Sequence, residues 1–403
     1  MPDGTHNVAK LFDPAIYADS RLPVDDPRAR GQPPQCYTSD EWYRREVERI
    51  LTRSWIFLGR VQRVPNPGDY LALDYAGVPL LILRDRDGTL RAFANSCRHR
   101  GAKLLEGEGN CRGVACPYHG WVYGLDGSLR GAPGMGRRAG FDKAANGLKP
   151  VRLETWAGFM FVCMDQGAPD LATWLGDVPE RLGPYNFEDM VPTYRVEHDL
   201  ACNWKIMVEN FLEFYHTPYV HRASIYAKPV GFLGQQDGKM ADIPVDPGPG
   251  ERLSYFMGHE GTRALMLGDT GFDHMPQLAG DRLDAGTYTA CILPAAMFSC
   301  HQDCMWFLEI YPEGPGRTKV VQVACFPKAT TERSDFDEIA ARYYKRWGMV
   351  MGEDVEIVQK VQRGLEGPFA EAGPVHHVED KIHAIRRWWL DRMLDDAQPP
   401  QRR

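Results

Sequence analysis

Cys97-Arg98-His99 and Cys116-Pro117-Tyr118-His119 bring two thiols and two imidazoles into one stretch, with sixteen residues between the motifs. Two mixed Cys and His pairs of this kind suit two loops that close around an inorganic centre. A [2Fe–2S] cluster with two cysteines on one iron and two histidines on the other needs that ligand set. Its neutral imidazoles raise the reduction potential above that of an all-thiolate cluster. The competing assignment is a structural zinc site. Zinc modules pair Cys with Cys and His with His at short spacing, whereas each short pair here is mixed. Gly101 and Gly120 let each loop turn tightly so that its amides approach the sulfurs, and Pro117 stiffens the second loop.

The sequence around the motifs reads as strands. Val78 to Arg84 and Thr89 to Phe93 flank Asp85-Arg86-Asp87-Gly88 as a β-hairpin. Trp121 to Leu125 and Ser128-Leu129 flank Asp126-Gly127 as a second, with a pair that tolerates left-handed backbone at its turn. Before them, Asp40 to Trp55 has helical periodicity, with Trp42, Val47, Ile50 and Leu51 on one side. The expected divisions are a polar, proline-rich arm with the start of the first helix over 1–44, a small all-β domain over 45–160, a larger domain over 161–390 and a tail over 391–403. In the larger domain the pattern predicts a helix over 200–222 ended by Pro218. Strands follow over Thr287 to Leu293, Met305 to Tyr311 and Lys319 to Phe326, then a long helix from about Ser334 to Leu365 with a weak point at Gly348 or Gly352. The fold class is α+β, an antiparallel sheet packed on a long C-terminal helix.

A second constellation lies on the 200–222 helix. Glu209, Glu213 and His216 fall at i, i+4 and i+7 and so share one face, and His221 follows just beyond Pro218. Two histidines five residues apart with a nearby carboxylate suit the two-His, one-carboxylate set that leaves positions open on Fe(II). A solvated polar helix face is the plainer alternative. The long helix adds Asp354, which sits in the apolar stripe of Tyr343, Trp347, Val350, Met351, Ile357, Val358, Val361 and Leu365. A carboxylate in a core-facing stripe is costly unless paired or bound to a metal.

Taken together, these motifs resemble the Rieske family. Cys97-Arg98-His99-Arg100-Gly101 and Cys116-Pro117-Tyr118-His119-Gly120-Trp121 carry the first part. Ala102 and Tyr118 stand where respiratory Rieske proteins add disulfide cysteines, so the resemblance is to the oxygenase branch. Asn203-Trp204-Lys205, Glu209-Asn210, Glu213, Tyr215-His216, His221, Glu353-Asp354 and Gln362-Arg363-Gly364-Leu365 are similar to the catalytic domain of Rieske non-haem iron oxygenases, of helix-grip type. The resemblance implies a [2Fe–2S] cluster on Cys97, His99, Cys116 and His119. It implies a mononuclear Fe(II) on His216, His221 and Asp354, with O2 as co-substrate. It makes Glu213 the acidic residue that joins the two centres across a subunit boundary, where relatives more often have Asp. Glu213 as the iron ligand, with Asp354 in support, stays open at this stage.

No Gly-x-Gly-x-x-Gly fingerprint follows a strand here. The resemblance therefore implies electrons from a separate NAD(P)H-dependent reductase, directly or through a ferredoxin, and a homotrimer ahead of an α3β3 assembly. It implies a mono- or dioxygenase acting on a small molecule. An aromatic substrate is the leading expectation, and a quaternary ammonium compound of choline, carnitine or betaine type the alternative. Phe211, Phe214, Tyr219, Phe298, Trp306 and Phe307 are the candidate pocket residues, able to stack on a ring or cage a cation; Arg222 and Arg263 are candidate partners for a substrate carboxylate. An electron carrier without oxygenase activity would need the first domain alone.

Composition excludes other classes. Forty-seven Lys+Arg against 54 Asp+Glu give a formal charge of −7, which is no footprint for nucleic acid. No apolar run approaches the length of about 18 residues that a membrane helix needs. Met1-Pro2-Asp3-Gly4-Thr5-His6 lacks the basic-then-apolar order of a signal peptide, so a cytoplasmic chain is expected. In that compartment Cys36, Cys163, Cys202, Cys291, Cys300, Cys304 and Cys325 read as buried inert thiols, and Cys111 as a plain loop cysteine.

Overall fold

The computed structural model describes residues 10–222, 224, 250–258, 264–266 and 268–394. Arg263, much of the arm's first ten residues and most of the tail lie outside them. The chain divides into two compact units, Thr52–Leu171 and Met1–Leu51 with Ala172–Arg403.

The first unit is all β. Its strands are β1 (Ile56–Arg60), β2 (Asp69–Tyr75), β3 (Val78–Arg84), β4 (Leu90–Ala94), β5 (Gly107–Asn110), β6 (Val114–Ala115), β7 (Val122–Tyr123), β8 (Leu129–Gly131), β9 (Pro150–Trp156) and β10 (Phe159–Cys163). Seven form one antiparallel sheet in the order β1-β10-β9-β4-β3-β2-β5; β6-β7-β8 form a small second sheet. Both hairpins read from the sequence are present, β3 with β4 and β7 with β8. Leu80 to Leu83 on β3 are fully buried, as a strand in the middle of a covered sheet requires. Leu81, Leu83 and Phe93 from the large sheet pack with Val114, Trp121 and Tyr123 in one core that also holds Cys97 and Cys116.

In the second unit a short helix, α1 (Asp40–Glu46), continues as one π-helical turn to Leu51. The helix expected to reach Trp55 stops there. The elements that build the sheet and the site are β11 (Met190–Leu200), α2 (Trp204–Leu212), α3 (Thr217–Val220), β12 (Arg252–Gly258), β13 (Gly286–Ile292), β14 (Ala296–Cys300), β15 (Met305–Gly314), β16 (Arg317–Pro327), α4 (Phe336–Leu365) and α5 (Asp380–Leu394). The six strands form an antiparallel sheet in the order β11-β16-β15-β14-β13-β12. Consecutive strands β11 and β12 thus occupy opposite edges, and the segment joining them carries α2 and α3. Phe326 and Ala324 of β16 pack against Tyr343 and Trp347 of α4, which fixes that helix on the sheet. α4 runs unbroken for 30 residues. Gly348 and Gly352 do not interrupt it, because the packed stripe on either side outweighs the roughly 1 kcal/mol penalty of each glycine.

Candidate metal centres

The two cysteine loops close in the same way. The Cys97 amide donates to the Ala102 carbonyl at 2.8 Å and the Gly101 amide to the Cys97 carbonyl at 2.8 Å; Cys116 pairs with Trp121 at 2.7 Å and Gly120 with Cys116 at 3.1 Å. Gly101 (φ 73°) and Gly120 (φ 68°) occupy the left-handed region that this closure needs. Both cysteines are buried, while His99 and His119 are exposed at the loop tips. The imidazoles lie edge to face with centroids 4.7 Å apart, and His99 stacks on Trp121 at 5.0 Å. The Tyr123 hydroxyl accepts from the Arg98 amide at 3.0 Å, which turns its proton toward Cys97 Sγ at 3.2 Å. Burial opposes ionisation of Cys97, but hydrogen bonds from Tyr123, the His99 and Arg100 amides and Cys116 outweigh it and hold the thiol below its ordinary value. That environment favours a thiolate ligand.

Among the described residues, the group whose ligand atoms all lie within 4.8 Å of one another is His216, His221 and Asp354.

The 200–222 segment is not one helix. Asn203 caps α2 by accepting from the Lys205 amide at 3.0 Å, and the helix ends at Leu212. Pro218 lies in the first turn of α3 rather than ending α2. A proline there has no N–H for the Phe214 carbonyl and its ring would collide with it in a continuous helix. The chain breaks instead, and the Phe214 carbonyl accepts from the Thr217 hydroxyl at 2.9 Å. Glu209, Glu213 and His216 therefore do not share a helix face. Glu209 belongs to a buried network, accepting from the Tyr37 hydroxyl at 2.6 Å and from both arms of Arg386 at 3.0 and 2.7 Å.

Glu213 and His216 sit in the loop that the break creates. Glu213 contacts His216 Nδ1 and accepts from the His216 amide at 3.0 Å. Glu353 accepts from His221 Nδ1 at 2.8 Å and from the Ser224 hydroxyl at 2.5 Å. Each ring makes its closer carboxylate contact at Nδ1, which places the proton there and leaves both Nε2 atoms with lone pairs. Those lone pairs face each other at 3.3 Å, and Asp354 Oδ1 lies 3.6 Å from His216 Nε2 and 3.2 Å from His221 Nε2. Asn210 steadies the same Asp354 oxygen with a 2.9 Å hydrogen bond. Three acceptors that converge in a half-buried spot repel one another unless a cation lies between them. Fe(II) suits two imidazoles and one carboxylate. The negative field is visible in His221: burial works to depress its pKa, but Asp354 and Glu353 outweigh burial and raise it. Glu213 lies on the far side of the His216 ring from Asp354.

A cavity of about 130 Å³ opens beside these three residues. Phe211, Phe214 and Trp306 line it, as read from the sequence. Phe298 and Phe307 do not. They are register partners, fully buried, and point to the other face of the sheet from their neighbours Ser299 and Trp306. Tyr219 is 76 % exposed and also lies away from the cavity. Arg222 is exposed, and Arg346 is the cation that reaches the cavity wall. Its spacing to Val350 and Asp354 along α4 is the signal that could have found it. Tyr255, Thr287, Thr289 and Gln322, on strands that turn alternate residues to the cavity, and His301 just past β14 also line it and went unread.

Comparison with known proteins agrees with this geometry. Residues 54–154 match the Rieske [2Fe-2S] domain, and residues 187–395 match the ring hydroxylating alpha subunit (catalytic domain). The chain is 28% identical to the chloroplastic choline monooxygenase of Spinacia oleracea over 394 residues, covering 96% of this chain and 82% of that one. It is 36% identical to the carnitine monooxygenase oxygenase subunit of Acinetobacter pittii over 192 residues, 47% of this chain and 52% of the relative. A quaternary ammonium Rieske monooxygenase solved with L-carnitine superposes with a TM-score of 0.73 at 25% identity, over 92% of this chain and 99% of that one. No helix among the described residues is long and apolar enough to cross a membrane. The chain belongs to the ring-hydroxylating alpha subunit family and is the terminal oxygenase of a Rieske non-haem iron system, with a [2Fe–2S] cluster and a mononuclear iron as its cofactors.

Proposed function

We propose that this oxygenase acts on a small quaternary ammonium compound, hydroxylating it or removing one of its carbon substituents by oxidation, rather than on an aromatic ring. The carrying observation is the arrangement of rings in the cavity. Phe214 meets Tyr255 edge to face at 5.0 Å, and Phe211 meets Trp306 in the same way at 5.4 Å. Two perpendicular pairs present ring faces from different directions, which suits a round cation better than a flat ring. The choline and carnitine monooxygenases among the relatives support the same substrate class.

In this reading Cys97, His99, Cys116 and His119 hold the cluster, and His216, His221 and Asp354 hold the iron, within a 45–160 and a 161–390 domain. The iron, when bound, activates O2 with electrons delivered from NAD(P)H through the reductase and the cluster. The chain's own residues do the rest. Glu213 and Glu353 fix the two histidines by their Nδ1 protons, leaving both Nε2 atoms as donors to the metal. Phe211, Phe214, Tyr255 and Trp306 exclude water and orient the cation. Glu213 is the link through which an electron from a neighbouring subunit's cluster reaches His216, in a cytoplasmic homotrimer that works with or without a ferredoxin.

The test is a single turnover. Enzyme reduced chemically and freed of reductant is mixed with O2 while cluster reoxidation is followed by absorbance. Choline, carnitine or glycine betaine is expected to accelerate reoxidation. Acceleration by aromatic acids alone would reject the proposal.

A further inference from the structure

The side of β16 that packs toward α4 reads Thr318, Val320, Gln322, Ala324 and Phe326, and every one of these is buried. Gln322 stands between apolar Val320 and Ala324 and reaches the cavity wall beside its register partner Leu308 on β15. Its side chain is nearly inaccessible, with 3% exposure, and its Oε1 has no hydrogen-bond partner among the described residues. The polar group of the wall at His301 is satisfied by its neighbours: His301 Nδ1 pairs with Thr287 at 3.1 Å, its Nε2 lies 3.2 Å from the Ser299 hydroxyl, and the Trp306 indole donates to it at 3.2 Å. An amide oxygen buried without a donor destabilises a fold, and leucine or methionine would occupy the same space without that penalty. Its cost to the fold is accounted for if the donor arrives with the substrate.

We propose that Gln322 reads the polar end of the substrate and that this end carries a hydroxyl. The inference rests on the quaternary ammonium reading and narrows it. A quaternary nitrogen has no N–H, and a carboxylate ionised at neutral pH has no O–H. An alcohol on the short arm of the cation has one, and it supplies the donor that Oε1 lacks. A site built around such a bond rejects the analogue without the hydroxyl, because the buried acceptor is then left unpaired.

Binding to the oxidised, iron-replete enzyme, which does not turn over, separates the cases. Calorimetry compares choline, ethyltrimethylammonium (the same cation without the hydroxyl) and glycine betaine. The wild type should bind choline about tenfold or more tightly than ethyltrimethylammonium. In Gln322→Leu that ratio should fall to about one through weaker choline binding alone, and the substrate-free protein should melt at a higher temperature. Gln322→Met is the second variant, with the same expectation. An unchanged ratio in both variants overturns the role of Gln322 and leaves the quaternary ammonium reading standing. A wild type that prefers glycine betaine to choline overturns the hydroxyl. Failure of all three cations to bind overturns the substrate reading itself.

Discussion

Asp354 is approached from three sides. Asn210 donates to it from α2, and the two Nε2 atoms of His216 and His221 face the same oxygen. Replacing Asp354 or His216 with Ala takes one donor from a three-donor set and should strip the mononuclear iron. On the proposed assignment the cluster's four ligands belong to the other unit, so the red-brown spectrum should persist while iron analysis shows the loss of one iron per chain. Loss of the colour in either variant would contradict the assignment. The two loops were legible from sequence because each keeps its Cys and His within a few positions. The carboxylate that faces the two Nε2 atoms was not, since Glu213 and Asp354 both satisfied the chemistry. What separates them is three-dimensional: Asp354 comes from a helix far along the chain to meet the Nε2 atoms, while Glu213 occupies the opposite side of the His216 ring. Gln322 left no mark at all in the sequence, where one amide in a strand means little until its neighbours are known.

At the level of elements, α2 is tied to α1 by a buried ion pair. Lys205 on α2 and Glu46 on α1 are both fully buried and in contact, and Glu46 also accepts from the Trp42 and Trp204 indoles at 3.0 Å each. Burial raises the Glu46 pKa above its usual range even though Lys205 and the indoles pull it down. Lys205→Met removes the charge that justifies a buried carboxylate and should destabilise the protein by about 3–5 kcal/mol. The pH dependence has a definite sign. A carboxyl whose folded pKa is raised binds more protons folded than unfolded, so its contribution is full below the unfolded value and is lost as pH rises through the folded one. The variant's urea midpoint should therefore fall further at about pH 8 than at about pH 5; a penalty that grew toward low pH would refute the account. Elements with strong periodicity, such as α4 and the β3–β4 hairpin, were legible in advance. β11 was not, because an edge strand with a polar face and Pro192 within it gives a weak alternation. The break after α2 was half legible. Pro218 marked a discontinuity, but a proline in the first turn of α3 and one that terminates α2 look alike until the Phe214 carbonyl is seen accepting from Thr217.

For the whole molecule, the consequential question is whose iron a given cluster serves. On the proposed assignment, exposed His99 and His119 would put the cluster's imidazole side where another chain can reach it, and Glu213, in contact with His216, would be the link between the two centres. In a head-to-tail ring each chain would give electrons to one neighbour and receive them from the other. Two inactive variants distinguish this from transfer within a chain. His216→Ala keeps a cluster and lacks the iron, whereas Cys97→Ser lacks the cluster and keeps the iron. Each alone should be inactive. Coexpressed in equal amounts, they should form mixed rings in which about one boundary in four pairs an intact cluster with an intact iron, and turnover per chain should recover in that proportion. Transfer confined to one chain predicts no recovery at any mixing ratio, because every chain is then broken at one end of the route. Mixing the purified variants without allowing subunits to exchange should also yield nothing, which ties any recovered activity to the shared boundary.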